Sequence, residues 1–307
     1  MSGSVLAASD LSPRSAQVAP RAAGIASTMK LRLVLAHVAA ADRPTTRDPA
    51  PPAAAEMTTA EASSADSVAA APGPLRALGG RLLGRRREPP DPDKALRAAA
   101  RGLAPRPDIR VIVGDPAAEL SRLAQESAAR LMVLGLHQER RVLDLLRLTT
   151  MERIVVAATV PVLIAHRDAA QPYRRVLALT DFSPGSAVAL RIAAQVAPEA
   201  EFHAIHALQL PLGARFSPND VGSDDALTQA EQMRAAFLAT DGLPELVEPP
   251  EIVPGGVHEV LAFRQVELGA DLVCIGTHSG RDPGQLGPYA RDLMRAPPTD
   301  LLVAKAD

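Results

Sequence analysis

The sequence predicts an α/β fold in which two doubly wound parallel sheets, each of five strands, follow one another along the chain. Three observations predict it. Long segments of the chain are repeated, short apolar runs alternate with helical patterns within each repeat, and 307 residues are about twice the length of a typical domain. Strands that alternate with helices form right-handed βαβ units, which build a parallel sheet covered by helices on both faces.

The repeat is visible when the chain is aligned with itself. Residues 5–16, VLAASDLSPRSA, match residues 176–187, VLALTDFSPGSA, at eight of twelve positions with an offset of 171. Three later blocks match in the same order, the first two at an offset of 141 and the last at 139: 109–120 with 250–261, 129–137 with 270–278, and 161–165 with 300–304. We therefore predict two domains, residues 1–167 and 168–307, called the first and the second copy below.

The first copy carries extra residues before its third predicted strand. The fall in offset from 171 to 141 corresponds to 171 − 141 = 30 additional residues. The excess lies in residues 41–92, which hold nine prolines and many alanines. Such a composition buries too little apolar surface to offset the entropy of ordering the chain, so we predict a disordered insertion there.

The composition argues against several classes of protein. A net charge of −2, no tryptophan, two tyrosines and five phenylalanines give neither the basic surface nor the stacking rings of a nucleic-acid binder. The single cysteine, Cys274, excludes a disulfide framework or a thiolate metal cluster and is expected in the core. His203 and His206 lie three apart on a predicted strand and should point to opposite faces, so they form no metal pair.

The expected location is the cytoplasm, without attachment to a membrane. No apolar run approaches the roughly 20 residues that a membrane-spanning helix needs. The opening residues, MSGSVLAASD, also lack the basic region and the long apolar core of a secretory signal.

Aspartate, glycine and histidine residues follow the predicted strands at the positions where ligands bind in such sheets. Asp10 and Asp181 come after the first strand of their copies, and each is followed by a Ser-Pro pair that suits a helix N-cap and first helical position. The fourth strands are followed by matching tripeptides, Gly135-Leu-His137 and Gly276-Thr-His278.

These features together resemble the universal stress protein family: the strand-Asp-x-Ser opening, the glycine after strand three, the Gly-x-His after strand four and the apolar closing strand. The resemblance covers nearly the whole chain twice, without the insertion. It implies an adenine-nucleotide-hydrolase-like fold with Rossmann-type layering. In family members that bind ATP, the loop after strand four reads Gly-x-x-Gly, nine residues, then Gly-Ser or Gly-Thr. The resemblance also implies that Asp10 and Asp181 would contact a bound nucleoside.

In the first copy the spacing of this loop is kept but the glycines are not. It reads Gly135-Leu-His-Gln138, nine residues, then Leu148-Thr149. Side chains at 138 and 148 should prevent the backbone from approaching phosphates closely. Thr149 with Glu152 also forms an ordinary capping box pattern, which needs no nucleotide. We therefore expect no nucleotide in the first copy, whose candidate binding residues are Asp10, Gly135 and Thr149.

In the second copy the loop keeps its glycines but is two residues shorter, and Pro288 replaces the hydroxyl residue of the family pattern. Glycines let backbone amides approach phosphates at a helix N-terminus, so ATP is possible in the second copy only. A purely structural loop is the other interpretation, because a glycine pattern alone is weak evidence. The candidate residues here are Asp181, Gly276, His278, Gly280, Gly284 and Gly287.

The function expected from the resemblance is that of a stress-response binding or regulatory protein with degenerate nucleotide-binding loops and no catalytic turnover. One alternative is an ATP-binding switch that uses the second copy only, with or without slow hydrolysis. Another is a scaffold that acts through partners of the insertion. The sequence names neither a regulatory partner nor a pathway.

The closing strands, predicted at Val160–Ala165 and Leu301–Ala304, should join the two copies. The resemblance implies that these strands lie at a sheet edge and pair between subunits, and an open apolar edge would favour aggregation. We therefore expect an internal pseudo-dimer whose antiparallel strand pair buries Val162, Ile164 and Leu302. Whether the fused pair forms a further homodimer is left open.

Overall fold

The computed structural model describes residues 3–39, 91–136, 148–169, 171–209, 221–277 and 286–305. These residues form one ten-stranded sheet with helices packed on both faces. The strands are β1 (Ser4–Ala8), β2 (Arg32–Ala39), β3 (Asp108–Val113), β4 (Ala129–Gly135), β5 (Val162–Ala165), β6 (Arg175–Leu179), β7 (Glu201–Leu208), β8 (Glu251–Pro254), β9 (Leu272–Gly276) and β10 (Asp300–Ala304).

Helices connect the strands within each copy, as the alternating pattern predicts. A short 3₁₀ helix (Pro13–Gln17) precedes α1. The α-helices are α1 (Val18–Thr28), α2 (Pro92–Ala99), α3 (Pro116–Glu126), α4 (Thr150–Ala157), α5 (Pro184–Val196), α6 (Val221–Leu238), α7 (Val257–Leu268) and α8 (Pro288–Arg295). None of the helices in the described part of the chain combines the length and the apolar character needed to cross a membrane.

The strand order is β3-β2-β1-β4-β5-β10-β9-β6-β7-β8, so each copy has the same doubly wound arrangement and the two meet at their closing strands. Neighbouring strands are parallel within each copy, whereas β5 and β10 pair antiparallel with Leu163 opposite Leu302. Val162, Ile164 and Leu302 are buried at this junction. The predicted strand pairing between the copies is confirmed, and two five-stranded sheets become one.

The core lies in two layers, one on each face of the sheet, and both layers extend across the junction. Leu163 and Leu302 belong to the layer under α1 and α5. Ile164 and Leu301 belong to the opposite layer, under α4 and α8. Since successive side chains of a strand point to opposite faces, each closing strand contributes to both layers.

Polar contacts fix the segment between the copies. The buried Asp300 carboxylate, at the start of β10, accepts hydrogen bonds from the N–H groups of His166 and Arg167 and from the Tyr173 hydroxyl at 2.7 Å. The Nε atom of Arg21 lies 3.1 Å from Asp300 Oδ2, and its guanidinium stacks over the Tyr173 ring. One carboxylate therefore holds α1, β10 and the connecting segment together.

The structure differs from the predicted strand-turn-helix openings in one respect. In the second copy the Ser183 side chain accepts a hydrogen bond from the Ser186 N–H, so Ser183 caps α5 as predicted. In the first copy Ser12 makes no side-chain cap bond, and the chain enters the 3₁₀ helix before α1 begins at Val18. The two openings match in sequence but not in helix geometry.

The helices between the second and third strands, α2 and α6, were not located from the sequence. The predicted insertion, 41–92, lies outside the described residues except for its last two positions. There Asp91 caps α2 by accepting a hydrogen bond from the Asp93 N–H, and Pro92 begins the helix. The insertion boundary was therefore placed about two residues too late.

Candidate functional site

Each copy has a cavity at the carboxyl ends of its strands. The first, of about 150 Å³, has mainly apolar walls, which include Leu120, Met151 and Ile154. The second, of about 210 Å³, is larger and carries more polar side chains. Its polar lining consists of Thr180, Asp181, Ser186, His206, Gln209, Thr277 and Tyr289. The two equivalent positions therefore offer different surroundings to a ligand.

Asp181 sits at the tip of the turn after β6 and is held on the cavity wall of the second copy. Its Oδ1 atom accepts a hydrogen bond from the Ser183 N–H at 3.0 Å and one from the Ser186 hydroxyl at 2.8 Å. The Phe182 N–H between them donates to Thr180 Oγ1 at 2.9 Å. Asp181 is half-buried, and these bonds fix the direction in which its carboxylate points.

Asp10 occupies the equivalent turn of the first copy but is more exposed. Its Oδ1 atom accepts a hydrogen bond from the Ser12 N–H at 2.9 Å. The Ser15 hydroxyl, which matches Ser186, donates to the Ser12 carbonyl at 2.9 Å and lies 2.9 Å from the Ser9 hydroxyl. Ser15 thus supports the turn through different atoms from those that Ser186 uses.

The helix that begins at each cavity has a different N-terminus in the two copies. In the first copy Thr149 and Glu152 form a complete capping box, in which Glu152 Oε2 accepts from the Thr149 N–H at 2.7 Å and Thr149 Oγ1 accepts from the Glu152 N–H at 3.2 Å. The predicted capping box is confirmed, and a carboxylate already lies at this helix end. In the second copy α8 begins after Gly287, which supplies no side-chain cap.

The glycines that end β4 and β9 are required by packing. A Cβ atom on Gly276 would lie 2.9 Å from the Gly185 carbonyl carbon, and one on Gly135 would lie 3.0 Å from the Ser15 Cβ. Both distances are shorter than normal contacts between such atoms, because the first turn of the neighbouring helix crosses directly over the strand end. Gly287 differs, since a Cβ there would lie 3.5 Å from the Thr277 carbonyl oxygen, an ordinary contact.

The comparison with protein families agrees with this arrangement. The family model described as the universal stress protein family matches residues 1–166 and again residues 172–305. The chain belongs to the universal stress protein family. It is a tandem member in which both copies match the family and share one sheet.

Solved structures of universal stress proteins share the fold over the full length. One from Archaeoglobus fulgidus is 18% identical, with a TM-score of 0.56, covering 99% of this chain and 97% of that one. A putative universal stress protein from Pseudomonas aeruginosa is 17% identical, with a TM-score of 0.55, covering 98% and 92%. A universal stress protein solved in complex with cAMP is 22% identical and covers 44% of this chain and 98% of that one, with a TM-score of 0.28. A comparison with curated proteins found no match to this chain.

Some of the site residues suggested by the family pattern lie outside the described part of the chain. His137 and Gln138 of the first copy, and His278, Gly280 and Gly284 of the second, lie outside the described residues. The base of the second loop is described, because the Gly287 N–H donates to the Thr277 carbonyl at 3.1 Å and so joins the two ends of the loop. Asp181, Gly276 and Gly287 line one cavity, and Asp10 and Gly135 line the other.

Several lining residues of this universal stress protein were not identified from the sequence. They are Ser186, His206, Gln209 and Tyr289, of which Gln209 donates a hydrogen bond to the Tyr289 hydroxyl across the cavity. A signal was present for one of them, since the repeat places Ser15 on Ser186 at the offset of 171.

Cys274 lies in the core, as predicted. It is fully buried in β9, and burial raises the pKa of its thiol to about 12, so the reactive thiolate is absent at neutral pH. Within the described ranges, no group of three or more histidine, cysteine, aspartate or glutamate side chains is arranged to hold a metal ion.

Proposed function

We propose that this universal stress protein is a regulatory binding protein whose second copy holds an adenine nucleotide, whereas its first copy does not. The observation that carries the proposal is the difference between the two helix N-termini at the equivalent cavities. Glu152 occupies the N-terminus of α4, and no side chain caps the N-terminus of α8. A helix N-terminus attracts anions only where its N–H groups are accessible.

The chemistry of the second cavity suits a nucleotide. Tyr289 and Ala290 follow Pro288 in the first turn of α8, and the N–H groups of a first turn have no acceptor within their own helix. Pro288 itself has no N–H, so one donor of the family pattern is lost. At the other side of the cavity, Asp181 presents a carboxylate to which ribose hydroxyl groups could donate.

The described cavity would hold part of the ligand. Its volume of about 210 Å³ is below the roughly 300 Å³ at which sites for drug-sized ligands begin. We assign the nucleoside to the Asp181 side of the cavity and the phosphates to the start of α8. The first cavity offers an apolar wall and a helix end at which the capping box already bonds the Thr149 and Glu152 N–H groups.

Calorimetric titration of the full chain with ATP and magnesium tests the proposal. Asp181→Ala is expected to abolish detectable binding, and Asp10→Ala, the matched change in the first copy, is expected to leave it unchanged. Mass spectrometry of the purified protein for co-purifying adenine nucleotide gives independent evidence. Binding that survives Asp181→Ala but is lost in Asp10→Ala would contradict the proposal.

Phosphate release during incubation with ATP separates binding from turnover. A regulatory binding protein should release no phosphate above the level of an Asp181→Ala control. Release that depends on Asp181 would favour the alternative of a hydrolysing switch. If the chain bound no nucleotide at all, the result would favour the other alternative, a scaffold that acts through partners of the insertion.

A further inference from the structure

A histidine on the second strand of each copy holds the turn that carries the aspartate. The Nδ1 atom of His206 lies 2.8 Å from the Thr180 carbonyl oxygen, and the Nδ1 atom of His37 lies 2.8 Å from the Ser9 carbonyl oxygen. Thr180 and Ser9 directly precede Asp181 and Asp10. The same contact therefore occurs twice in the molecule, at positions that are equivalent in the structure: the Ser9 and Thr180 N–H groups donate to the carbonyls of Ala36 and Ile205, the residues directly before the two histidines.

The partner fixes the tautomer of each ring. A carbonyl oxygen can only accept a hydrogen bond, so Nδ1 must carry the proton. In a neutral ring Nε2 is then an acceptor. His206, whose ring contributes to the wall of the second cavity, thus has its orientation set by the residue next to Asp181.

The turn that the histidine holds has a strained backbone. Phe182, directly after Asp181, has φ of 61°, and Leu11, directly after Asp10, has the same value. A left-handed conformation is unfavourable for a residue other than glycine, so it persists only where surrounding contacts hold it. The histidine bond to the preceding carbonyl is one such contact in each copy.

The second copy adds an aromatic stack that the first copy lacks. The His206 ring stacks on Phe182 at 4.7 Å between centroids with an interplanar angle of 26°, and Phe182 in turn packs against Phe237 at 5.6 Å. The repeat places Leu11 at the position of Phe182, so the first copy has no ring there. His206 is therefore held on two sides, by a hydrogen bond at its edge and by a ring on its face.

We propose that His206 is a positioning residue of the second-copy ligand site, which holds the Thr180–Phe182 turn so that the Asp181 carboxylate faces the ligand. The proposal rests on the proposed function of that site. His37 holds the same backbone turn in a copy that we assign no nucleotide, so it provides a matched control within one chain.

The tautomer can be tested without a ligand. Two-bond ¹H–¹⁵N correlation spectra of the full chain should show the Nδ1–H tautomer for His206 and His37 at a pH where both rings are neutral. His206→Phe and His37→Phe assign the two signals by their disappearance. An Nε2–H tautomer for His206 would overturn the proposal, because the ring could then not donate to the Thr180 carbonyl.

Two substitutions separate the donor from the ring. His206→Phe keeps a ring that can stack on Phe182 but removes the N–H, and His206→Asn keeps a donor amide but removes the ring. Loss of one hydrogen bond that orients a site typically weakens binding about tenfold. Calorimetry should therefore show ATP affinity about tenfold lower for His206→Phe than for the wild-type chain. The affinity of His206→Asn should lie between the two.

The control distinguishes positioning from stability. His37→Phe should lower the melting temperature by an amount similar to that of His206→Phe and leave ATP affinity unchanged. The positioning role would be overturned if His206→Phe bound ATP like the wild-type chain, or if His37→Phe weakened binding equally. If the wild-type chain itself bound no ATP, both the proposed function and the positioning role would fail. If the wild-type chain and His206→Phe bound ATP equally well, only the positioning role would fail.

Discussion

Gly276 and Gly287 both border the second cavity, but only one of them has to be glycine for the fold. The strand end at Gly276 lies against the backbone of the first turn of α5, where a Cβ atom would come within 2.9 Å of the Gly185 carbonyl carbon. Gly287 has room for a methyl group, since the shortest contact of its Cβ would be 3.5 Å. Packing therefore explains the first glycine but not the second, and under our proposal Gly287 lets a ligand approach the backbone.

Alanine substitution at the two positions should give opposite results. Gly276→Ala is expected to destabilise the protein by about 1–3 kcal/mol, because neighbouring backbone must shift. Gly287→Ala should change the free energy of unfolding by less than about 0.5 kcal/mol and weaken ATP binding instead. Urea unfolding and calorimetry on the same two variants measure both effects. If Gly287→Ala kept full ATP affinity, the phosphates would not approach that backbone.

The two N-cap serines provide a second matched pair, at the scale of single elements. The Ser183 side chain caps α5, whereas Ser12 makes no cap bond at the start of the 3₁₀ helix. Ser183→Ala should therefore cost about 1 kcal/mol of stability and Ser12→Ala close to nothing. Equal losses in urea unfolding would show that the two helix openings are equivalent after all.

The contact between α4 and α8 is made specific by charge. The Glu152 carboxylate is fully buried, and Arg295 Nε donates to its Oε1 atom at 2.8 Å, with Arg291 Nε 3.8 Å from the same oxygen. The repeat makes positions 152 and 291 equivalent, because 291 − 152 = 139 is the offset of the closing strands. If two identical copies met at this contact, the same residue would lie on both sides and like charges would face each other. The pairing of Glu152 with Arg291 therefore favours contact between the first copy and the second.

Charge reversal tests this assignment. Glu152→Arg should destabilise the chain by about 3–5 kcal/mol, since it leaves the two arginines without their buried partner and removes the α4 cap. Adding Arg291→Glu and Arg295→Glu should restore part of that loss but not the cap. Denaturant unfolding of the single and triple variants measures both free energies of unfolding. A triple variant that is no more stable than Glu152→Arg would contradict the pairing of Glu152 with the two arginines.

At the scale of the whole molecule, Asp300 and Tyr173 join the copies on the opposite face of the sheet. Burial, and after it the charge of Asp300, raises the pKa of Tyr173 well above its usual value of 10.0. A group whose pKa is raised on folding contributes stability that is complete below its unfolded pKa and is lost as pH rises toward the folded pKa. The chain should therefore lose stability above about pH 10 as the unfolded tyrosine ionises.

Tyr173→Phe should remove this alkaline component. It should also cost about 1–3 kcal/mol at neutral pH, because the buried Asp300 carboxylate loses its hydroxyl donor. Urea unfolding at pH 7 and at pH 10.5 should thus show a smaller difference for the variant than for the wild-type chain. If Tyr173→Phe showed the same pH dependence of stability as the wild-type chain, the loss of stability at alkaline pH would come from other groups.

The architecture of the whole chain could be predicted from the sequence, because the repeat and the apolar strand patterns are long-range signals that survive local change. The junction of β5 with β10 was expected from the family resemblance, together with the apolar edges of the two closing strands. Helix α6 was not located; of its residues 224–238 only Ala230 and Phe237 are buried, so its apolar face is narrow.

The site could be predicted only in part. Asp181 and Gly276 line one cavity because strand ends determine their positions, and their role in binding stays a prediction. His206 was not recognised as part of the site, because its role depends on a hydrogen bond to the neighbouring strand end, which no local pattern encodes. The packing requirement at Gly276 likewise depends on α5, a helix about 90 residues earlier in the chain.

The stoichiometry of ATP binding to the full chain tests the central claim most directly. Equilibrium dialysis with labelled ATP and magnesium, carried to saturation, should give one nucleotide per chain, since α4 of the first copy has a capping box at its N-terminus whereas the equivalent helix of the second copy, α8, has no side-chain cap. The site should be lost in Asp181→Ala and kept in Asp10→Ala. Two nucleotides per chain, or one that disappears with Asp10→Ala, would contradict the assignment of the ligand site to the second copy.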